Sequence, residues 1–113
     1  MKRVLVESPY GNSDPAVVAE NVEYARACML DCFRRGEAPF ASHLLYTQPG
    51  VLDDSVPDQR ARGIEAGLVW GSQAELTVVY IDRGITEGMH LGIAQAEAEG
   101  RPVDYRQLED TEP

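Results

Sequence analysis

Lysine is nearly absent: Lys2 is the single lysine among ten basic residues, which stand against 19 acidic ones, and the formal net charge is −9. A surface with that balance repels phosphate backbones, so no nucleic acid polymer is expected as a partner. A small anionic ligand remains compatible with it, because a helix N-terminus and one or two arginines suffice to hold one. Long hydrophobic runs are missing as well. None approaches the roughly 20 residues that span a bilayer, so no membrane partner is expected. Met1-Lys2-Arg3 leads within a few residues to Glu7 and Pro9, which fits a first strand and not a secretory signal, and cytoplasmic residence is the expectation. Cysteine is limited to Cys28 and Cys32, one helical turn apart among apolar neighbours. Two buried free thiols are expected there, with no disulfide framework.

What is present is enough for one core. A chain of 113 residues with 43% hydrophobic content makes a single domain, expected over residues 1–106 with a polar tail over 107–113 that frays. Strand and helix signals alternate along it. Arg3 to Ser8 is a short β-branched run ending in the turn formers Pro9 to Ser13. Asp14-Pro15 sets a capping side chain before a proline suited to the first helical position, and Val18, Val22, Ala25, Met29 and Phe33 follow at helical spacing up to Gly36. Ala38 to Leu45 reads as a second strand with Ser42 and His43 near its C-terminal end.

A long connection, 46–57, then lacks any period, and loops of that length are commonly lids or oligomer contacts. A helix begins near Pro57-Asp58 and carries Gly63, Gly67 and Gly71 at four-residue spacing. Three glycines in a helix cost on the order of 1 kcal/mol each against alanine, so close approach of a neighbour is expected to compensate. Leu76 to Ile81 is an apolar strand buried on both faces. After the Asp82-Arg83-Gly84 turn comes a helix from about Thr86 to Glu99 with Met89, Ile93 and Ala96 inward, and then a last strand near Pro102 to Tyr105. The order predicts an α/β fold, a Rossmann-like three-layer sandwich whose mainly parallel sheet of about four strands has helices on both faces.

In such a sheet the ligand crevice lies outside the C-terminal strand ends. Three segments fall there: Ser8 to Gly11, Ser42-His43, and Asp82 to His90. The run Gly84-Ile85-Thr86-Glu87-Gly88-Met89-His90 combines a turn glycine, a hydroxyl and the free N–H groups of a helix start, which suits an anion. His43 and His90 could meet in the crevice as a general-base or ligand pair, with Asp82 orienting one of them, or simply shape a pocket through hydrogen bonds. A zinc set from the same three has no tight ligand spacing, and no metal or cofactor is expected. Tyr10, Tyr46 and Trp70 are aromatics able to stack on a base or to serve packing alone.

The Ser8-Pro9-Tyr10-Gly11 turn, Pro39-Phe40-Ala41-Ser42-His43, and Ala74 to Val79 followed by Gly84-Ile85-Thr86-Glu87-Gly88-Met89-His90-Leu91-Gly92 together resemble the nucleoside 2-deoxyribosyltransferase superfamily. Its relatives include the 2′-deoxynucleoside 5′-phosphate N-hydrolases and small phage and actinobacterial domains. The resemblance runs from Arg3 to about Tyr105. It implies a Rossmann-like domain in which a glutamate attacks the anomeric carbon, a hydroxyl and backbone amides hold the 5′ end of the sugar, and an acidic side chain assists the departing base. Tyr10 and Gly11 match the substrate-binding turn, and Gly84, Gly88 and Gly92 match the segment presenting the nucleophile.

The resembled pattern is Gly-aromatic-Glu-Leu-Gly, whereas this chain reads Gly88-Met89-His90-Leu91-Gly92. Imidazole is a poor substitute for a carboxylate that must form and release a glycosyl ester. Glu87, three residues earlier on a neighbouring part of the helix surface, and Glu65, near where the family keeps its acid for the base, are the alternatives. Candidate catalytic residues are therefore Glu87, His90 and Glu65; candidate substrate-binding residues are Ser8, Tyr10, Gly11, Ser42, His43, Asp82, Gly84, Thr86 and Gly88. The expected ligand is a nucleoside or nucleotide, either cleaved at its N-glycosidic bond or only bound by a sensor or sequestering module. The helical glycines, the long loop and the resemblance together imply a homo-oligomer.

Overall fold

The computed structural model describes residues 1–108. Four strands, β1 (Lys2–Glu7), β2 (Glu37–Phe40), β3 (Leu76–Tyr80) and β4 (Val103–Arg106), form an all-parallel sheet in the order β2-β1-β3-β4. The helices are α1 (Pro15–Arg34), α2 (Ser42–Leu45), α3 (Pro57–Gly71) and α4 (Glu87–Ala98). Alternate strand residues face opposite layers. Val4, Val6, Val78 and Tyr80 pack against Tyr24, Cys28 and Cys32 of α1. On the other face Val79 packs against Met89 and Ile93 of α4, and Leu5 lies under Gly71 of α3. Both faces are thus covered, which explains why the central strands carry adjacent apolar residues, Val4-Leu5-Val6 and Val78-Val79, and do not alternate. The expected three-layer Rossmann-like sandwich is the observed fold. Among the described residues, no helix is long and apolar enough to cross a membrane.

Helix α1 starts where the Asp14-Pro15 signal places it: the Asp14 carboxylate accepts a hydrogen bond from the Ala16 N–H at 2.9 Å, and Gly36 follows the helix at φ 78°. Its buried face differs from the expected one. Asn21, Tyr24, Ala25, Cys28, Asp31 and Cys32 are buried, whereas Phe33 is 55% exposed. Polar members can occupy that face because each is paired. Asn21 donates to the Tyr10 carbonyl, the Tyr24 hydroxyl to Asp82, and the Tyr80 hydroxyl to Asp31. A stripe read from apolarity alone passes over such residues. Cys28 and Cys32 are buried free thiols.

The second strand is shorter than Ala38 to Leu45. It ends at Phe40, whose partner is Leu5, and Ser42–Leu45 turns into α2, with the Leu45 and Tyr46 N–H groups donating to Ala41 and Ser42 carbonyls. Beyond Leu5, Val6 and Glu7 of β1 pair with β3 alone. Helix α4 is capped by Thr86, whose hydroxyl accepts from the Met89 N–H at 3.3 Å, and buries Met89, Ile93 and Ala96 as the spacing predicts. The last strand gains Arg106, whose buried guanidinium makes two hydrogen bonds to the Glu37 carboxylate, at 2.7 and 2.8 Å. The tail expected from Gln107 is docked at its start: the Leu108 N–H donates to Asp82 and its side chain packs on the core. Residues 109–113 lie outside the described residues.

Candidate active site

A cavity of about 310 Å³ opens at the C-terminal end of β1, between the turn after β1, the short helix α2, helix α3 from Arg60 to Leu68 and the N-terminal half of α4. Its position follows from topology. Parallel strands deliver their following loops to one side, and the helix that leaves β3 turns its N-terminal N–H groups toward it. Of the expected residues, Ser8, Tyr10, Gly11, Ser42, His43, Thr86, Glu87 and Gly88 line this cavity.

The wall near β1 is the most ordered by hydrogen bonds. Ser8 Oγ lies 2.7 Å from Nε2 of His43, which couples the end of β1 to α2. The Tyr10 ring meets the His43 ring edge-on, with centroids 6.2 Å apart, and the Tyr10 carbonyl accepts from the Asn21 side chain at 2.9 Å. Burial pushes the His43 pKa down to about 4, so the imidazole is neutral near pH 7, with one nitrogen donating and one accepting. It can act there as a hydrogen-bonding group or a weak base, and not as a standing cation.

The opposite wall carries charge. Arg60 Nη1 contacts Asp54 Oδ2 at 3.1 Å, and Arg60 Nη2 lies 3.6 Å from where a Cβ on Gly88 would sit. The guanidinium therefore stands beside the start of α4, and Glu87 completes that rim. Neither Asp54 nor Arg60 stands out in the sequence, since the first sits in an aperiodic loop and the second on an ordinary helical turn.

Glu7 is the other lining residue that sequence reading passed over. It ends β1 and shares its cavity wall with Leu5. Burial pushes its carboxyl up to about 8, opposed by the guanidinium of Arg101, so the group carries a proton near pH 7. Arg101 itself is held by Thr77 Oγ1 at 2.9 Å and by Glu99. The one signal available in the sequence was a charged residue directly after the apolar run Val4-Leu5-Val6.

The remaining expected residues lie elsewhere. Asp82 does not line the cavity; it accepts from the Tyr24 hydroxyl at 2.5 Å and from the Leu108 N–H, tying β3 to α1 and to the chain beyond β4. Gly84 forms the turn at φ 84°. His90 and Glu65 are exposed on α4 and α3 and do not line it. Trp70 is 60% exposed on α3, outside this cavity, and Tyr46 lies in a small adjoining recess. No group of three or more His, Cys, Asp or Glu side chains among the described residues is arranged to hold a metal ion.

Comparison with solved structures identifies the fold. The 2-deoxyribosyltransferase of the psychrotolerant bacterium Bacillus psychrosaccharolyticus superposes with a TM-score of 0.63 at 18% identity, over 93% of this chain and 72% of that one. The Clostridium botulinum CMP N-glycosidase BcmB superposes with a TM-score of 0.56 at 14% identity, over 94% of this chain and 71% of that one. The fold is thus nucleoside 2-deoxyribosyltransferase-like. No curated protein sequence matches the chain. A family model described as "Domain of unknown function (DUF7768)" matches residues 2–106.

Proposed function

The chain belongs to the DUF7768 family, and we propose that it binds a nucleoside or nucleotide in the β1–α4 cavity and acts on its N-glycosidic bond, by hydrolysis or deoxyribosyl transfer. The observation that carries this reading is the cavity itself. It sits at the strand ends of a fold shared with a deoxyribosyltransferase and a CMP N-glycosidase, and it is bounded by the Ser8 to Gly11 turn on one side and by Thr86 to Gly88 on the other. In this reading Tyr10 and His43 frame the base, Gly88 and Arg60 hold the 5′ end, and Glu87 is the rim carboxylate that faces the anomeric carbon. No cofactor is required.

A second reading has its own support. His90 takes the place of the resembled nucleophile and is exposed, which favours a module that binds the ligand without cleaving it. One experiment separates the two. The wild type, Glu87→Ala and His90→Ala are incubated with deoxynucleosides and their 5′-monophosphates, free base is measured by chromatography, and thermal stability is measured with and without each compound. Free base that falls in either variant supports the enzyme. Thermal stabilisation with no free base supports the binding module.

A homo-oligomer completes the proposal. Val69 and Trp70 are 65% and 60% exposed on neighbouring positions of α3, and a second copy covering that helix would remove both from water. A monomeric mass at micromolar concentration would count against it.

A further inference from the structure

We propose that Glu7 is the proton donor of this cavity: its carboxyl lines the cavity wall, is seated in space that only a glycine at position 92 leaves open, and delivers its proton to the departing base of the bound nucleoside or nucleotide. The assignment rests on the N-glycosidic reading above and names a residue for it that lies outside the α4 motif.

The geometry is specific. Gly92 is buried on α4, and a Cβ built there would collide with the Glu7 carboxyl group, both oxygens included. Helix and strand therefore approach each other around a carboxyl that takes the place of a side chain on α4. Among the described residues nothing hydrogen-bonds the Glu7 carboxyl, and none of its oxygens is a fully enclosed orphan. Glu7 and the Gly92 that its carboxyl abuts both line the cavity. A buried carboxyl kept only for packing would be expected to have an internal partner. One that lacks a hydrogen-bond partner, is protonated near pH 7 and lines a ligand site has the properties of a general acid.

Arg101 is the charged group that acts on this carboxyl, and the other titratable groups stand around the cavity it lines. Arg101, following α4, favours its ionised form, and burial outweighs that effect. His43 on α2 is neutral, and Asp54, Arg60 of α3 and Glu87 of α4 lie around the same cavity.

The step balances as follows. The Glu7 O–H proton passes to a nitrogen of the base while the C1′–N bond breaks, and the electron pair of that bond leaves with the base. Water then forms the C1′–O bond on the side the base vacated. It gives one proton to the Glu7 carboxylate, which restores the acid.

The test uses Glu7→Gln, which keeps the shape of the protonated carboxyl, and Gly92→Ala, which evicts the carboxyl without altering it. Free base is measured across the panel of deoxynucleosides and 5′-monophosphates, together with thermal stabilisation by the same compounds and the rate between pH 5 and 9.5. The expected result is base release lowered at least about 100-fold in Glu7→Gln, with ligand stabilisation retained. The wild-type rate should fall as pH rises through about 8, and that limb should be absent from the residual activity of the variant. Gly92→Ala should show the same loss of rate.

Base release within a few-fold of wild type in Glu7→Gln, or an alkaline limb that persists there, would overturn the role of Glu7 and leave the N-glycosidic reading standing. A wild type that releases no base from any compound would overturn both.

Discussion

The Oγ of Ser8 and the Nε2 of His43, 35 residues apart in the chain, are separated by 2.7 Å. This hydrogen bond joins the end of β1 to α2 and fixes the wall of the cavity on which Tyr10 also rests. Ser8→Ala would leave a part-buried imidazole nitrogen without its partner. The expected loss of stability is about 1–3 kcal/mol, read as a lower urea midpoint at unchanged slope.

Glu7 and His43 give stability opposite dependences on pH. Folded Glu7, near 8, keeps a proton that the unfolded carboxyl loses near 4.5, so its contribution is complete below pH 4.5 and declines as pH rises to about 8. Folded His43, near 4, refuses a proton that the unfolded imidazole binds below 6.5; its contribution is complete above 6.5 and is lost as pH falls toward 4. The two offset each other between pH 4.5 and 6.5, and the decline due to Glu7 stands alone above 6.5. Urea unfolding should show the wild type less stable at pH 8.5 than at 6.5 by roughly 2 kcal/mol. In Glu7→Gln that difference should vanish, and a rise from pH 4 to 6.5 should emerge. A wild-type profile flat from 6.5 to 8.5 would contradict the buried, protonated carboxyl.

The α3 glycines answer to different neighbours. A Cβ at Gly67 would meet Ser42 Oγ at 2.5 Å and its Cβ at 2.9 Å, whereas one at Gly63 would meet only Leu52 Cδ1 at 3.3 Å, the end of a loop side chain. Gly67→Ala should therefore cost about 1–3 kcal/mol by prising α2 from α3. Gly63→Ala should be neutral or gain up to about 1 kcal/mol from helix propensity. Thermal denaturation of the two variants side by side checks the contrast.

Arg60 tests which end of the ligand meets α4. Its side chain is 42% exposed in the ion pair with Asp54, so Arg60→Gln should change stability by less than about 0.5 kcal/mol. If the guanidinium holds a 5′-phosphate, the variant should lose thermal stabilisation by deoxynucleoside monophosphates and keep that by deoxynucleosides. Equal retention of both would place the phosphate elsewhere.

Much of the architecture was legible along the chain, because the signals for it are local. The Asp14-Pro15 cap, the apolar run of β3, the Gly84 turn and the Met89, Ile93, Ala96 spacing each depend on residues within a few positions of one another, and together they determined a parallel sheet flanked by helices with a crevice at the strand ends. The limits came where a residue's partner is distant. The buried face of α1 depends on Tyr10, Tyr80 and Asp82 satisfying its polar groups, and β2 stops after Phe40, where the chain turns into α2.

The site divides in the same way. The turn after β1 and the start of α4 were identifiable from their own residues. Only the tertiary structure decided that His90 faces outward, that Asp82 is occupied by Tyr24 and Leu108, and that Arg60 stands at the cavity. Glu7 is the clearest instance. In the sequence it is a carboxylate closing a strand, and burial, to which Gly92 of α4 contributes from 85 residues later by leaving room for the carboxyl, favours its protonated form.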